Sequence, residues 1–252
     1  MKSWFKKLFI GIGILIGVCL LALVIAYFAA SGDYKVLKTV EHDRSLPHVT
    51  LDGVTFHAEA HGPKDAPVVI VLHGGPGNDY RYLLHLKSLA KAYRVVFYDQ
   101  RGSGLSPRVP KAQLTMKNML EDVGRFVKHY GKGKKVILIG HSWGGMLASA
   151  YTNEHPEKVS HLVLADPGIL SPEAAKAFLA KFKFSPGIRG IMGLTWLWLK
   201  SRHVKGPDKE AKDDYFFSNL PSLDLPGNPM EGYACNGDLK TLRSKWWRFS
   251  LS

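Results

Sequence analysis

The sequence predicts an α/β fold, a mostly parallel sheet with flanking helices, standing behind an N-terminal transmembrane helix. Three observations carry that prediction. Four short runs are almost wholly apolar and end in polar, glycine-rich residues: PVVIVLHGG from Pro67, YRVVFYDQRG from Tyr93, KVILIGHSWGG from Lys135 and HLVLADPG from His161. Unbroken apolar runs suit strands buried on both faces, as in a parallel sheet covered by helices. Between them, residues 80–92, 114–130 and 143–154 carry apolar side chains at helical spacing, and strands alternating with helices imply right-handed crossovers. The third observation is an uncharged stretch from Leu8 to Ala30, long enough as a helix to cross a hydrocarbon core of ~30 Å.

Taken in chain order, the apolar stretch comes first. Lys2, Lys6 and Lys7 precede it without an acidic residue, while Asp33, Lys35, Lys38 and Glu41 mix charge beyond it. The positive-inside rule then sets the N-terminus in the cytoplasm and everything after Ser31 on the outer face of the cell membrane, a single-pass arrangement. The competing reading is a secretory signal cleaved near Ala29, Ala30, Ser31 and Gly32. The apolar part of such a signal spans ~7–15 residues, which favours an uncleaved anchor. Cys19 lies inside the stretch and cannot pair with Cys235, so the outer domain has to cohere by packing.

Beyond the anchor, HVTLDGVTFHAEAHG (His48 to Gly62) alternates apolar and polar residues around Asp52-Gly53, the signature of a hairpin. The four apolar runs and their helices follow. From Ser171 the texture changes: PEAAKAFLAKF and IRGIMGLTWLWLK read as helices, then come the Pro/Gly-rich NLPSLDLPGNPMEGY and the terminal KWWRFSLS. The division expected is 1–32 as anchor, 33–170 as catalytic core and 171–252 as an incomplete helical lid or cap insertion. The net charge of +13 comes from scattered lysines with no nucleic-acid module. A solvated basic surface facing anionic lipid headgroups is the expected meaning, and nucleic acid is not an expected partner.

The chemistry centres on Gly140-His141-Ser142-Trp143-Gly144, a G-x-S-x-G pattern at a strand-to-helix junction. A serine on so sharp a turn has its hydroxyl pushed out of the sheet, and flanking glycines remove side chains that would clash. The helix beginning at Trp143 aims its N-terminus at the site, where unpaired N–H groups favour developing negative charge. HGGPG (His73 to Gly77) ends the first buried strand, and its glycines leave backbone N–H groups uncovered. Gly74 or Gly75, together with Trp143, can therefore donate to the oxyanion of a tetrahedral intermediate. DQRGSG (Asp99 to Gly104) ends the second, with Asp99 and Arg101 expected to brace the surrounding loops. No metal and no organic cofactor is implied.

These three motifs, in this order, resemble the α/β-hydrolase superfamily and, more narrowly, the proline iminopeptidase group of serine peptidases. The resemblance covers about His48 to Gly168. It implies Ser142 as nucleophile in acyl transfer, Gly75 and Trp143 as oxyanion donors, and a small peptide, amide or ester as substrate. A serine at this position argues against dehalogenase and epoxide hydrolase relatives, which carry aspartate there. The resemblance also implies a triad acid after a later strand and a histidine near the C-terminus.

The last histidine in the sequence is His203, and no G-x-x-H loop follows Trp247. The catalytic histidine is therefore not identified, and the chain reads as the front portion of such an enzyme. His73, His141, His155, His161 and His203 are poor substitutes by position. Asp166, at the end of the fourth strand, is a candidate acid, set against the alternative of a plain loop residue. Trp196, Trp198, Tyr215, Phe216, Phe217, Trp246 and Trp247 either line an apolar pocket or pack the lid. The resemblance implies lid carboxylates for a substrate amine, and Asp213, Asp214, Asp224, Glu231 and Asp238 are the candidates. Three functions stay open: a proline iminopeptidase-like aminopeptidase, an esterase or lipase-like hydrolase, and a catalytically inactive, membrane-anchored binding protein.

Overall fold

The computed structural model describes residues 2–181, 187–206 and 211–219. They form two compact units, one of residues 37–181 and one of residues 2–36, 187–206 and 211–219.

In the larger unit, β1 (His48–Leu51) and β2 (Val54–His61) make the expected hairpin. Asp52 and Gly53 have φ of 45° and 81°, the two left-handed positions of a tight hairpin turn. The four apolar runs become β3 (Val68–Leu72), β4 (Arg94–Tyr98), β5 (Val136–Ser142) and β6 (Val159–Pro167). The sheet order is β1-β2-β4-β3-β5-β6, with β4, β3, β5 and β6 mutually parallel and β2 antiparallel to its neighbours.

Every residue of β3 is buried, and its side chains alternate between two cores. Val68, Ile70 and Leu72 join Phe56, Tyr98, Phe126 and Leu147 on the face covered by α2 (Met116–Gly131) and α3 (Trp143–Glu154). Val69 and Val71 join Tyr80, Leu83, Val95 and Phe97 on the other. Thr115 caps α2, its hydroxyl accepting from the Asn118 N–H at 3.2 Å.

Two expectations need correction. The segment expected as an ordinary helix over 80–92 is a 3₁₀ helix at Arg81–Lys91. Leu83, Leu86 and Leu89 recur every third position, the 3₁₀ period, and Tyr82, Leu84 and Ala90 pack against the same core beside them. The fourth apolar run was expected to be buried on both faces. In β6 only Val159 is buried, while Val163 and Leu164 are 47% and 37% exposed. Among the described residues β6 lies at one edge of the sheet, opposite β1, and pairs with β5 alone.

The smaller unit contains α1 (Lys2–Ala29), α5 (Gly187–Arg202) and α6 (Ala211–Asn219). Within α1, Trp4–Ala29 contains an 18-residue window with a mean hydropathy of 3.1 and is long and apolar enough to cross a membrane. A further helix, α4 (Pro172–Lys181), belongs to the larger unit.

Candidate active site

The sheet order builds the site. Because β4 and β5 flank β3 on opposite sides, the loops leaving the carboxyl ends of all three strands converge, the usual position of a ligand crevice in such sheets. The HGGPG loop follows β3, DQRGSG follows β4 and the serine turn ends β5, with Leu72 paired beside Gly140.

Ser142 has φ 50° and ψ −118°, a conformation that L residues seldom adopt. The flanking glycines make it possible. A Cβ on Gly140 would strike the backbone of Gly144 and Gly145, and one on Gly144 would strike the carbonyls of Leu72 and His73. The α3 helix therefore starts hard against the end of β3. Its first N–H groups, Trp143 included, have no partner within the helix. On the other side the Gly168 N–H donates to the Ser142 carbonyl at 2.9 Å, tying the turn to the end of β6.

The oxyanion candidates differ in what they do. The Gly74 N–H donates to the Tyr82 hydroxyl at 2.6 Å. Gly75 has φ 126°, and a Cβ there would crowd the amides of Gly77 and Asn78, so the loop admits only glycine. The Tyr82 hydroxyl also meets Nδ1 of His141 at 2.8 Å. Burial lowers the His141 pKa below its ordinary value, with the Asp166 charge opposing the shift and His73 adding to it.

His73 is fully buried, with both ring nitrogens engaged: Nδ1 donates to the Gly74 carbonyl at 2.7 Å, and Nε2 accepts from the Gln100 N–H at 3.0 Å. Gln100 was missed by sequence reasoning, although it sits inside DQRGSG. Its amide donates to the His73 carbonyl at 2.8 Å and its oxygen accepts from the Trp143 indole at 3.0 Å. One side chain thus fastens the HGGPG loop to the residue after the serine. Tyr82 was missed too, and no local signal marks it.

Asp99 is a hub. Its carboxylate accepts from the N–H groups of Tyr80 (3.0 Å) and Leu105 (2.7 Å) and from Nδ1 of His57 (2.8 Å). Arg101 makes a two-pronged pair with Asp122 of α2, at 2.8 and 2.6 Å. Both brace the loops, and neither faces Ser142 through a hydrogen bond among the described residues.

Asp166 is exposed, with φ 44°. Among the described residues no hydrogen bond reaches the Ser142 hydroxyl. His155 and His161 are exposed, and His203 lies in the other unit with Nε2 hydrogen-bonded to the Tyr27 carbonyl at 2.9 Å. Asp213 pairs with Arg202 at 3.6 Å within the smaller unit. Asp224, Glu231, Asp238, Trp246 and Trp247 lie outside the described residues. No cluster of three or more potential metal ligands occurs among the described residues.

A sheet of this order with a serine on a strained turn between β5 and α3 defines an α/β-hydrolase core. Residues 67–185 match the alpha/beta hydrolase fold family. The chain is 36% identical over 119 residues to the proline iminopeptidase PfmaB of Pestalotiopsis fici, covering 46% of this chain and 42% of that one. It is 38% identical over 110 residues to a proline iminopeptidase of Heyndrickxia coagulans, covering 41% and 36%. A longer match, 36% over 176 residues, joins it to epoxide hydrolase B of Mycobacterium tuberculosis, covering 65% and 44%. The chain spans less than half the length of these relatives.

Proposed function

We propose that this chain is a membrane-anchored serine hydrolase, closest in chemistry to the proline iminopeptidases, cleaving a small amide or ester by acyl transfer through Ser142. The observation that carries the reading is the strained backbone of Ser142 between Gly140 and Gly144. In the proposed reaction the Ser142 Oγ attacks the substrate carbonyl carbon. The resulting oxyanion accepts from the N–H groups of Gly75 and Trp143, since Gly74 already donates to Tyr82. Collapse expels the amine or alcohol together with the proton given up by the Ser142 hydroxyl, and water then attacks the acyl carbon, releasing the acid and returning a proton to Oγ. Asp166 remains the candidate acid. A serine hydroxyl needs a base to be an effective nucleophile, and losing one triad member leaves only ~10³–10⁴-fold catalysis over water.

Epoxide hydrolases also resemble this chain, but a serine occupies its nucleophile position, which favours acyl chemistry. The inactive, anchored binding protein is the second reading. It is favoured by His141, the histidine adjoining Ser142, whose Nδ1 is taken by Tyr82. The α1 helix serves as the anchor in this proposal, with the core on the outer side.

Labelling the full chain with a fluorophosphonate separates these readings. Labelling that disappears in Ser142→Ala supports the hydrolase, and a folded chain that does not label supports the binding protein. Chromogenic proline amides against short-chain esters then divide aminopeptidase from esterase.

A further inference from the structure

The smaller unit carries an exposed apolar face that the chemistry above does not use. On α5, Ile188, Ile191, Met192 and Trp196 follow the i, i+3, i+4, i+8 spacing of one helix face and are 79%, 57%, 65% and 39% exposed. Gly190, Leu197 and Ser201, which are buried, fall on the opposite face, and the exposed stripe ends at Trp196, since Leu199, next on the same face, is buried. So many large apolar side chains exposed along one stripe signal an interaction surface.

The neighbours of that stripe indicate its partner. The carboxyl end of α5 is fixed to the end of α1: His203 Nε2 hydrogen-bonds the Tyr27 carbonyl at 2.9 Å, and its ring lies 4.3 Å from that of Tyr27. Lys205 N–H donates to the Tyr34 carbonyl at 3.4 Å. Residues 187–206 contain four cations, Arg189, Lys200, Arg202 and Lys205, and no acidic residue. Lys200 lies over the rings of Tyr34 and Trp196 at 5.8 and 5.9 Å, and Arg202 over Trp198 at 5.3 Å. Arg202 also pairs with Asp213 of α6. Aromatic rings interleaved with lysine and arginine where a spanning helix ends are the composition of a headgroup-level belt, and a cationic helix with an apolar stripe lies in the interface plane of anionic bilayers.

We propose that α5 is an interfacial helix that seats its Ile188–Trp196 stripe in the bilayer beside α1, with its cations among anionic headgroups. The proposal rests on the reading of α1 as a membrane anchor. Docking of a second copy, or use of the stripe as a cover for other protein surface, are the competing outcomes.

The test uses the full chain with Cys19→Ser and Cys235→Ser, reconstituted in phosphatidylcholine vesicles with and without phosphatidylglycerol. An environment-sensitive NBD label is placed through Ile191→Cys or, separately, Leu15→Cys within α1. The expected result at 191 is a blue-shifted emission quenched by lipids spin-labelled near the headgroup, more strongly when phosphatidylglycerol is present. A label at 15 quenched by lipids spin-labelled deep in the acyl chain, with an unquenched, unshifted label at 191, overturns the inference and leaves the anchor standing. A blue-shifted but unquenched label at 191 assigns the stripe to protein and also overturns it. If neither label is quenched, the anchor reading fails and the inference falls with it.

Discussion

Replacing Asp99 by Asn tests whether the loops around Ser142 are held as described. The side chain is fully buried and accepts three donors: the Tyr80 and Leu105 N–H groups and His57 Nδ1–H. Asn keeps one accepting oxygen and turns an NH₂ toward the donors that remain. In the less damaging orientation the oxygen still serves Leu105 and His57, while the NH₂ faces the Tyr80 N–H. One buried donor is then unsatisfied, at about 1–3 kcal/mol, and two charge-assisted bonds become neutral, at about 1 kcal/mol each. The total is about 4 kcal/mol. At about 3 °C per kcal/mol for a domain of this size, the melting temperature falls by about 12 °C. Thermal unfolding of the full chain in detergent, followed by near-ultraviolet circular dichroism, reads the shift. A fall of less than about 2 °C would show that the three hydrogen bonds contribute little net stability, and the account of Asp99 as the brace would be wrong.

Three further outcomes follow from the same geometry. Gly144→Ala drives a methyl into the Leu72 and His73 carbonyls, so stability should drop by at least about 1–3 kcal/mol, with loss of fluorophosphonate labelling if Ser142 is the nucleophile; urea midpoints and labelling rates check it. Tyr98→Phe removes a buried hydroxyl that has no hydrogen-bond partner among the described residues, and the urea midpoint should hold or rise by up to about 1 kcal/mol in stability, with a fall counting against the unpaired hydroxyl. His141 has its pKa lowered by burial, so the folded state binds its proton less readily than the unfolded chain. Its contribution is complete above the unfolded value near 6.5 and is lost as pH falls through the folded pKa; between pH 7.5 and 5.5 the wild type should lose more stability than His141→Gln, measured by guanidinium unfolding.

What was legible in the sequence was whatever a short window decides. Asp52-Gly53 fixes the hairpin by its own backbone preference, and the apolar runs fix four parallel strands because their neighbours in sequence are helices. Gly140 and Gly144 mark the serine turn in the same way. What was not legible depends on partners distant in the chain. Tyr82 is 59 residues from His141, and Gln100 is 43 from Trp143, so no spacing rule reveals either bond. The exposure of β6 was hidden because an apolar run reports the side chains a strand carries and not which elements cover it. The 3₁₀ helix at Arg81–Lys91 was misread because Leu83, Leu86 and Leu89 satisfy a three-residue row within a pattern that also fits the α period.

Backbone strain picks out the serine independently of any motif. Four described non-glycine residues have positive φ: Asp52, Lys132, Ser142 and Asp166. Asp52 sits in a hairpin turn, and Lys132 is the left-handed residue that ends α2, so chain reversal accounts for both. Asp166 is skipped in the pairing of β5 with β6, where His141 faces Ala165 and Ser142 faces Pro167. It is the extra residue of a bulge, and the bulge accounts for its φ. Ser142 alone belongs to no reversal or bulge of its own strand. Its conformation costs on the order of 1–3 kcal/mol and survives because the tight Gly140–Gly144 approach and the Gly168–Ser142 hydrogen bond leave the chain no other path. The bulge at Asp166 lies directly beside it, where Ser142 faces Pro167 and the Gly168 N–H reaches the Ser142 carbonyl.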